Sequence, residues 1–231
     1  MREIVLDTET TGLDPYSGHR IVEIGCVEIF NKVSTGNTFH VYINPERDMP
    51  AEAEAVHGLS SDFLSKYAPF REVVGDFLDF IGDDILVIHD ADFDMKFINA
   101  ELEWQKRERL PATQAFDTLK LARQTYPGMA NSLDALCRRL NVDNSGRDLH
   151  GALLDAQLLA QVYLELCGGA QPDFVVDASS EGDAATSTSG ALRRDRPLQE
   201  PRDFPLDAAE AARHQEFLEK LTDPIWLNPK D

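Results

Sequence analysis

The chain has 231 residues, of which 42% are hydrophobic and 27% charged, as in an ordinary globular protein, but its net charge at pH 7 is −19. This length allows one well-buried domain with an appendage. The acidity excludes a broad electrostatic grip on nucleic acid, because such affinity comes from Lys and Arg neutralising phosphates. Without a long apolar run or a basic and then apolar N-terminal segment, we expect a cytoplasmic protein that does not enter a membrane.

The first part of the sequence predicts three antiparallel strands. Runs of apolar and β-branched residues lie at 4–6, 21–30 and 38–43. The turn-prone stretch Ser34 to Asn37 joins the second and third runs. Sequential strands with short connections pair as an antiparallel meander. We expect a loop after it, around Pro50 and Gly58.

The following part of the chain alternates helices and strands. Apolar periodicity predicts helices across 60–82 and at about 93–107, 118–126, 132–140 and 151–167, with short strands at 85–88 and 115–116. A meander followed by such alternation predicts the α/β class, with a mixed five-stranded sheet flanked by helices. Residues 1–169 are expected to form this domain.

The C-terminal part changes in composition. Residues 170–205 are rich in Ser, Thr, Ala, Asp, Gly and Pro and lack apolar periodicity, so we expect a flexible linker. The pattern at 206–221 is helical, and Phe217 and Trp226 are aromatic residues of the kind that dominate binding surfaces. Segment 206–231 is therefore expected to bind a partner; the alternative is a disordered, solubilising extension.

Two carboxylates stand at the end of the first strand. Asp7 and Glu9 are two residues apart, so they project from the same face. Burying two like charges together is costly unless a cation lies between them, and a hard divalent cation suits oxygen ligands. The sequence therefore indicates half of a metal site. The alternative is a solvated strand end before the Thr-Thr-Gly turn.

Two further aspartates can complete such a site. Asp94 follows the strand at 85–88, and Asp155 lies among leucines in the first turns of the last domain helix. Four carboxylates from three segments can hold two Mg²⁺ or Mn²⁺ ions, which stabilise the attacking and leaving oxygens in phosphoryl displacement. His150 adds an imidazole, the side chain that accepts protons near neutral pH, so it could take one from the attacking water.

Three motifs in this order resemble those of the DEDD exonuclease superfamily, in its histidine-bearing subclass. They are DTETTG at 7–12, HDADFD at 89–94 and HGALLD at 150–155. Further segments, including EIGCVE, VHGL and NSLDALC, extend the resemblance over residues 2–168 to the proofreading subunits of bacterial DNA polymerase III. The resemblance implies a ribonuclease-H-like fold and 3′→5′ removal of nucleotides as 5′-monophosphates. It implies two metals held by Asp7, Glu9, Asp94 and Asp155, with Asp7 bridging them and His150 as general base.

The resemblance also implies contacts with the substrate. Glu52 and His57 match loop positions that contact the terminal nucleotide in the family. The resemblance implies that the metal ligands Asp7, Glu9 and Asp155 also contact this nucleotide. Weaker candidates for holding that nucleotide are Thr10, Leu13 and Phe93. The second motif departs from the family pattern, because Asp90 replaces an Asn and the variable position is Asp92. We expect these carboxylates to tighten metal binding and to repel the DNA backbone.

The partners follow from the same resemblance. It implies that DNA 3′ ends are the substrate and that segment 206–231 binds the polymerase III alpha subunit. Residues Gln171 to Val175 stand where the family has a sliding-clamp-binding motif, and a small third core subunit is a further candidate partner. Two alternatives stay open: a stand-alone exoribonuclease with the same catalytic residues, and a non-catalytic subunit that only stabilises the polymerase.

Overall fold

A five-stranded mixed sheet forms the centre of the described structure, a computed structural model that covers residues 1–146, 149–168 and 207–220. Its strands are β1 (Arg2–Thr10), β2 (Ile21–Phe30), β3 (Val33–Tyr42), β4 (Ile85–Ile88) and β5 (Ala115–Asp117), in the order β3-β2-β1-β4-β5. The first three strands pair antiparallel, and β4 and β5 run parallel to β1. The predicted meander and mixed sheet are confirmed.

The turn between β2 and β3 lies earlier than the sequence predicted. Asn31 and Lys32 form its corners with φ values of 51° and 66°, the left-handed geometry of a two-residue type I′ hairpin. The stretch 34–37, predicted as the turn, belongs to β3. There Gly36 has a φ of 80° and lies in a bulge opposite Glu28. The prediction was wrong because Gly36 serves the bulge, while Asn31 tolerates the left-handed corner.

Helices cover both faces of the sheet. They are α1 (Ala51–His57), α2 (Ser61–Leu64), α3 (Phe70–Ile81), α4 (Ala91–Trp104), α5 (Thr118–Thr125), α6 (Leu133–Leu140) and α7 (Ala152–Leu166). Side chains of β1 alternate between two cores. Ile4 and Leu6 pack in the core formed with α3 and α4, whereas Val5 packs against α7. This alternation decides which helix faces each carboxylate at the end of β1.

Helix α1 occupies residues that the sequence analysis assigned to a loop, so that prediction is wrong. Pro50 is its N-cap residue. The negative charges of Glu52 and Glu54 in the first turn stabilise the helix by interacting with the positive end of its dipole. Alternating alanines are strong helix formers. Gly58, with a φ of 75°, ends the helix in the left-handed conformation. These local signals are present in the sequence, but a seven-residue helix is too short to show amphipathic periodicity.

Residues 207–220 belong to the second of two compact units. They contain α8 (Ala208–Glu219), whose first turn is capped by Asp207 through the backbone N–H of Ala209. The predicted linker 170–205, the clamp-motif candidate Gln171 to Val175 and Trp226 lie outside the described residues. None of the helices within the described ranges is long and apolar enough to span a bilayer.

Candidate active site

The carboxylates of β1 project toward helix α7. Asp7 and Glu9 share the strand face of Val5, which packs against Ala156 and Leu159 of that helix. They line a cavity of about 330 Å³ at the carboxyl ends of β1 and β4. The other predicted site residues on this cavity are Asp94, His150 and Asp155. The structure therefore brings the three predicted motifs together around one space.

Asp94 is one of the two most deeply buried acids of this group, together with Asp155. It lies in the first turn of α4, is 3% exposed, and its Oδ1 accepts a hydrogen bond of 2.6 Å from Thr8 Oγ1. Burial raises its pKa to about 7, against the lowering effect of the Thr8 hydrogen bond. A carboxylate in this environment is ionised at lower cost when a cation lies beside it.

His150 and Asp155 form a hydrogen-bonded pair at the start of α7. The distance from His150 Nδ1 to Asp155 Oδ2 is 3.2 Å, and Asp155 is 3% exposed. An ionised carboxylate can only accept, so Nδ1 carries the hydrogen, and in the neutral ring Nε2 keeps its lone pair. The imidazole itself is half-exposed. This arrangement suits a ring that accepts a proton at Nε2.

The donor set fits a hard divalent cation. Ligand atoms of Glu9, His150 and Asp155 all lie within 4.8 Å of one another. Asp7 and Asp94 line the same cavity, so carboxylate oxygens dominate the available donors. Oxygen-rich sites of this kind favour Mg²⁺, Mn²⁺ or Ca²⁺ over softer metals.

Gly25 sets how closely α7 approaches the sheet. It pairs with Asp7 across β1 and β2. A Cβ atom built at Gly25 would lie 2.3 Å from the backbone carbon of Ala152 and 2.3 Å from the backbone nitrogen of Leu153. The first turn of α7 therefore packs directly on the bare backbone of β2. This contact places Asp155, two residues further along, opposite the β1 carboxylates.

We expect Gly25→Ala to reduce the exonuclease activity that the motifs imply by about a hundredfold, because displacing α7 by about 1 Å misplaces Asp155 and His150 together. The measurement is the steady-state rate on a single-stranded oligonucleotide, with circular dichroism to verify folding. Gly75→Ala is the matched control, since Gly75 lies within α3 with open space around its Cα. Full activity of a folded Gly25→Ala protein would contradict this role.

A second, larger cavity of about 610 Å³ adjoins the first one. The two share Thr8, Glu9 and Phe93. The larger one is lined on its apolar side by Leu13, Pro50 and Val56 and on its polar side by Glu52 and His57. Its size and mixed lining suit a nucleoside, and we call it the nucleoside cavity. Thr10 also lines it, although its hydroxyl donates to the Gly12 carbonyl oxygen at 2.7 Å and so shapes the loop.

His57 is held in a defined tautomer within this cavity wall. Its Nδ1 accepts a hydrogen bond of 3.0 Å from the backbone N–H of Leu59, so in the neutral ring the hydrogen is on Nε2. Burial lowers the pKa of His57, and a backbone hydrogen bond with Thr10 opposes this only in part. His57 is therefore a neutral donor at pH 7. Glu52, on the same helix, is exposed at the rim.

Helix α1 also supports the segment that carries His150. The backbone N–H of His150 donates to the carbonyl oxygen of Val56 at 3.2 Å. At Gly58 a Cβ atom would lie 2.7 Å from Leu149 Cδ1, so the glycine allows Leu149 to pack on the end of the helix. One short helix thus contributes to the nucleoside cavity and positions the candidate base.

We call the cavity of about 330 Å³ that holds the carboxylates the metal cavity. Of the two extra acids in the second motif, only Asp90 faces it. Asp90 lines it, at a φ of 67°, a left-handed conformation that Asn and Asp both tolerate. This geometry explains why Asp90 can stand where the family has Asn. Asp92 is exposed and pairs with Lys120 at 3.2 Å. Asp92 therefore does not line the metal cavity, and Lys120 compensates its charge.

Sequence reasoning missed three contributors to the site. They are Thr8, which bonds to Asp94; Gly25, which admits α7; and the carbonyl of Val56, which holds His150. Thr8 lies on the opposite strand face from Asp7, so strand alternation hid its role. A glycine within an otherwise apolar strand was the available signal for Gly25.

Comparison with known proteins places this site in a family. A model of the Exonuclease family matches residues 4–163. The curated DNA polymerase III subunit epsilon of Rickettsia felis is 51% identical over 231 positions, covering 96% of this chain and 97% of that protein. The protein of that name from Escherichia coli K12 is 51% identical over 176 positions, covering 73% and 72%.

Solved structures with the same fold include nucleases of distant sequence. Exonuclease X in complex with 5′ overhanging duplex DNA has a TM-score of 0.57 at 24% identity, covering 71% of this chain and 90% of that one. The nuclease domain of 3′hExo, a DEDDh family member bound to rAMP, has a TM-score of 0.61 at 18% identity, covering 72% and 91%. These likenesses confirm the predicted fold class.

The chain belongs to the exonuclease family, the class of metal-dependent nucleases that its fold and carboxylate cavity define. Within that family it belongs to the group of DNA polymerase III epsilon subunits. The predicted family, enzyme class and dependence on divalent metal are thereby confirmed. The roles of the individual residues stay predictions.

Proposed function

We propose that this chain removes mispaired 3′-terminal nucleotides from DNA as 5′-monophosphates, as the proofreading subunit of a bacterial polymerase III. The observation that carries the proposal is the convergence of four carboxylates and His150 on one cavity, next to a second cavity that fits a nucleoside. Metal and base beside a nucleoside-sized space suit hydrolysis of a terminal phosphodiester.

We assign the metal-binding role to the four carboxylates. Asp7, Glu9, Asp94 and Asp155 would hold two divalent cations, Mg²⁺ or Mn²⁺. When bound, the ions supply the positive charge that stabilises the attacking and leaving oxygens of the displaced phosphate. The raised pKa of buried Asp94 supports this assignment, because the apolar surroundings alone disfavour its charge.

His150 acts as the general base in this proposal. Its Nε2 takes the proton of the attacking water, and Asp155, bonded to Nδ1, stabilises the imidazolium that forms. Asp155 also fixes the ring orientation. The half-exposed ring can then release the proton to solvent before the next turnover.

The adjoining cavity selects the terminal nucleotide. His57 and Glu52 provide polar side chains in its wall and at its rim, and Leu13 and Phe93 provide apolar surface for the base. A terminal nucleotide must leave the duplex to enter this space, and unpairing costs least when it is already mismatched. The preference for mispaired ends follows from this difference and needs no contact that reads the base.

The partner assignments rest on membership of the epsilon group. The chain is a component of a polymerase core, and we propose that 206–231 binds the alpha subunit, with Gln171 to Val175 as a candidate clamp contact and a small third subunit as a further partner. A cytoplasmic location, without membrane contact, is part of this proposal. Segment 206–231 includes α8, whose Phe217 is exposed.

The experiment compares 5′-labelled DNA primers with matched and mismatched 3′ ends, and an RNA of equal length, with Mg²⁺ or EDTA. We expect metal-dependent shortening from the 3′ end, fastest on the mismatch. A preference for RNA would instead favour the exoribonuclease, and polymerase binding without cleavage would favour the non-catalytic subunit.

Deleting 206–231 should abolish binding to the alpha subunit while leaving cleavage intact. Unchanged binding would overturn the proposed role of this segment in binding the alpha subunit.

A further inference from the structure

A third cavity adjoins the metal cavity through a different set of residues from those shared with the nucleoside cavity. It measures about 740 Å³ and shares His89, Asp90 and Ser132 with the metal cavity. It shares no described lining residue with the nucleoside cavity. The metal cavity therefore shares wall residues with two larger spaces, which share none with each other among the described residues. We call the third space the upstream groove.

The direction of the DNA strand determines which nucleotide would lie in the upstream groove. In the proposed reaction, which this inference assumes, the bond that breaks joins phosphorus to the 3′ oxygen of the penultimate nucleotide. That oxygen departs from the phosphate on the side opposite to the attacking water. With the terminal nucleoside in its cavity and its phosphate at the carboxylates, the penultimate nucleotide extends into the upstream groove.

Among the described residues that line the three cavities, one carries a permanent positive charge. Among the described residues lining the three cavities, Arg123 is the only Lys or Arg, whereas Asp7, Glu9, Asp14, Glu52, Asp90, Asp94 and Asp155 are acidic. Arg123 is exposed in the last turn of α5 and has no salt-bridge partner within the described ranges. Its guanidinium can pair with a phosphate through two parallel hydrogen bonds.

We propose that Arg123 binds the phosphate between the penultimate nucleotide and the one before it. The scissile phosphate is served by the carboxylate site, so Arg123 neutralises the next phosphate of the strand. Leu119 and Met129 provide apolar surface in the upstream groove beside the Arg123 guanidinium. The sugar and base of the penultimate nucleotide can lie on this surface. Arg123 is thus a substrate-positioning residue in a chain of strongly negative charge.

The test uses a trinucleotide and its analogue with an uncharged methylphosphonate at the upstream linkage, measured for the first cut only. We expect Arg123→Gln to raise the KM for the ordinary trinucleotide about tenfold, with a smaller change in kcat. In the wild-type protein, the methylphosphonate should raise KM by a similar factor. In Arg123→Gln it should add little, because the interacting partner is already gone.

Two variants control for charge and for folding. Arg123→Lys keeps the charge and should stay within about threefold of the wild-type KM. Arg109→Gln removes an exposed arginine from the loop between α4 and β5, away from all three cavities, and should not change KM. The slope of log KM against log salt should fall by about 0.7 in Arg123→Gln, the value for one phosphate contact with a single strand.

Each outcome bears on one proposal. An equal methylphosphonate effect in the wild-type protein and in Arg123→Gln, or an unchanged KM in that variant, would overturn the role of Arg123. In either case, cleavage by the wild-type protein would leave the proposed exonuclease function standing. Absence of cleavage of any trinucleotide by the wild-type protein would overturn the proposed function itself.

Discussion

Replacing Asp94 by Asn is expected to lower exonuclease activity by about a thousandfold or more. The amide keeps an oxygen that can accept the Thr8 hydrogen bond, so the local packing is retained. It cannot supply the negative charge that a divalent cation requires. The measurement is kcat on single-stranded DNA over a range of Mg²⁺ concentrations, together with metal binding by calorimetry.

Asp90→Asn is the matched control for Asp94→Asn. Asp90 lines the same cavity in a left-handed conformation that Asn tolerates well, so this variant should retain activity within about threefold. Equal losses in the two variants would show that Asp90 shares the metal-binding role, and full activity of Asp94→Asn would remove Asp94 from it.

Asp94→Asn is also expected to change the thermal stability of the metal-free protein. Burial raises the pKa of Asp94 to about 7, above its value in the unfolded chain. The folded state therefore binds more protons than the unfolded state from about pH 4 to 7, so the contribution of Asp94 to stability falls as pH rises through this range. In EDTA at pH 8, Asp94→Asn should unfold at an equal or higher temperature than the wild-type protein.

Replacing His150 by Ala is expected to reduce kcat by about a hundredfold to ten-thousandfold, the usual contribution of general base catalysis. Metal affinity and the KM for DNA should change far less, because carboxylates supply the other donors of the cavity. The rate of the variant should rise with hydroxide concentration at high pH, and added imidazole should restore part of it. Such rescue is not expected from a residue with only a structural role.

His214→Ala is the control for His150→Ala, since His214 is exposed on α8. It should match the wild-type protein in rate and in pH dependence. If His150→Ala kept its activity within threefold, the proton of the attacking water would have to be taken by another group.

The metal cavity could be predicted from the sequence because its acids stand at places that secondary structure fixes. Asp7 and Glu9 share a face by strand alternation, and Asp155 stands out as a charge among leucines. Contacts between distant segments could not be found in this way. The closeness of Gly25 to Ala152 depends on how a helix packs on a sheet, and periodicity does not determine that distance.

The missed helix α1 and the misplaced hairpin turn have a common cause. In both stretches a glycine predicts an irregular segment when only the local sequence is considered. Gly58 instead ends a helix, and Gly36 lies in a bulge within a strand. Left-handed backbone occurs in all these settings, so only the neighbouring contacts distinguish them.

Helix α1 connects the wall of the nucleoside cavity with the support of His150. His57 and Glu52 form part of the cavity wall, and Val56 of the same helix holds the backbone of His150. A seven-residue helix has little stability of its own and depends on both contacts. A displacement of α1 that opens the cavity wall would therefore also move the backbone contact that holds His150, the proposed base. The wall that contacts the terminal nucleotide in the proposed function and the support of the proposed base thus lie on one element.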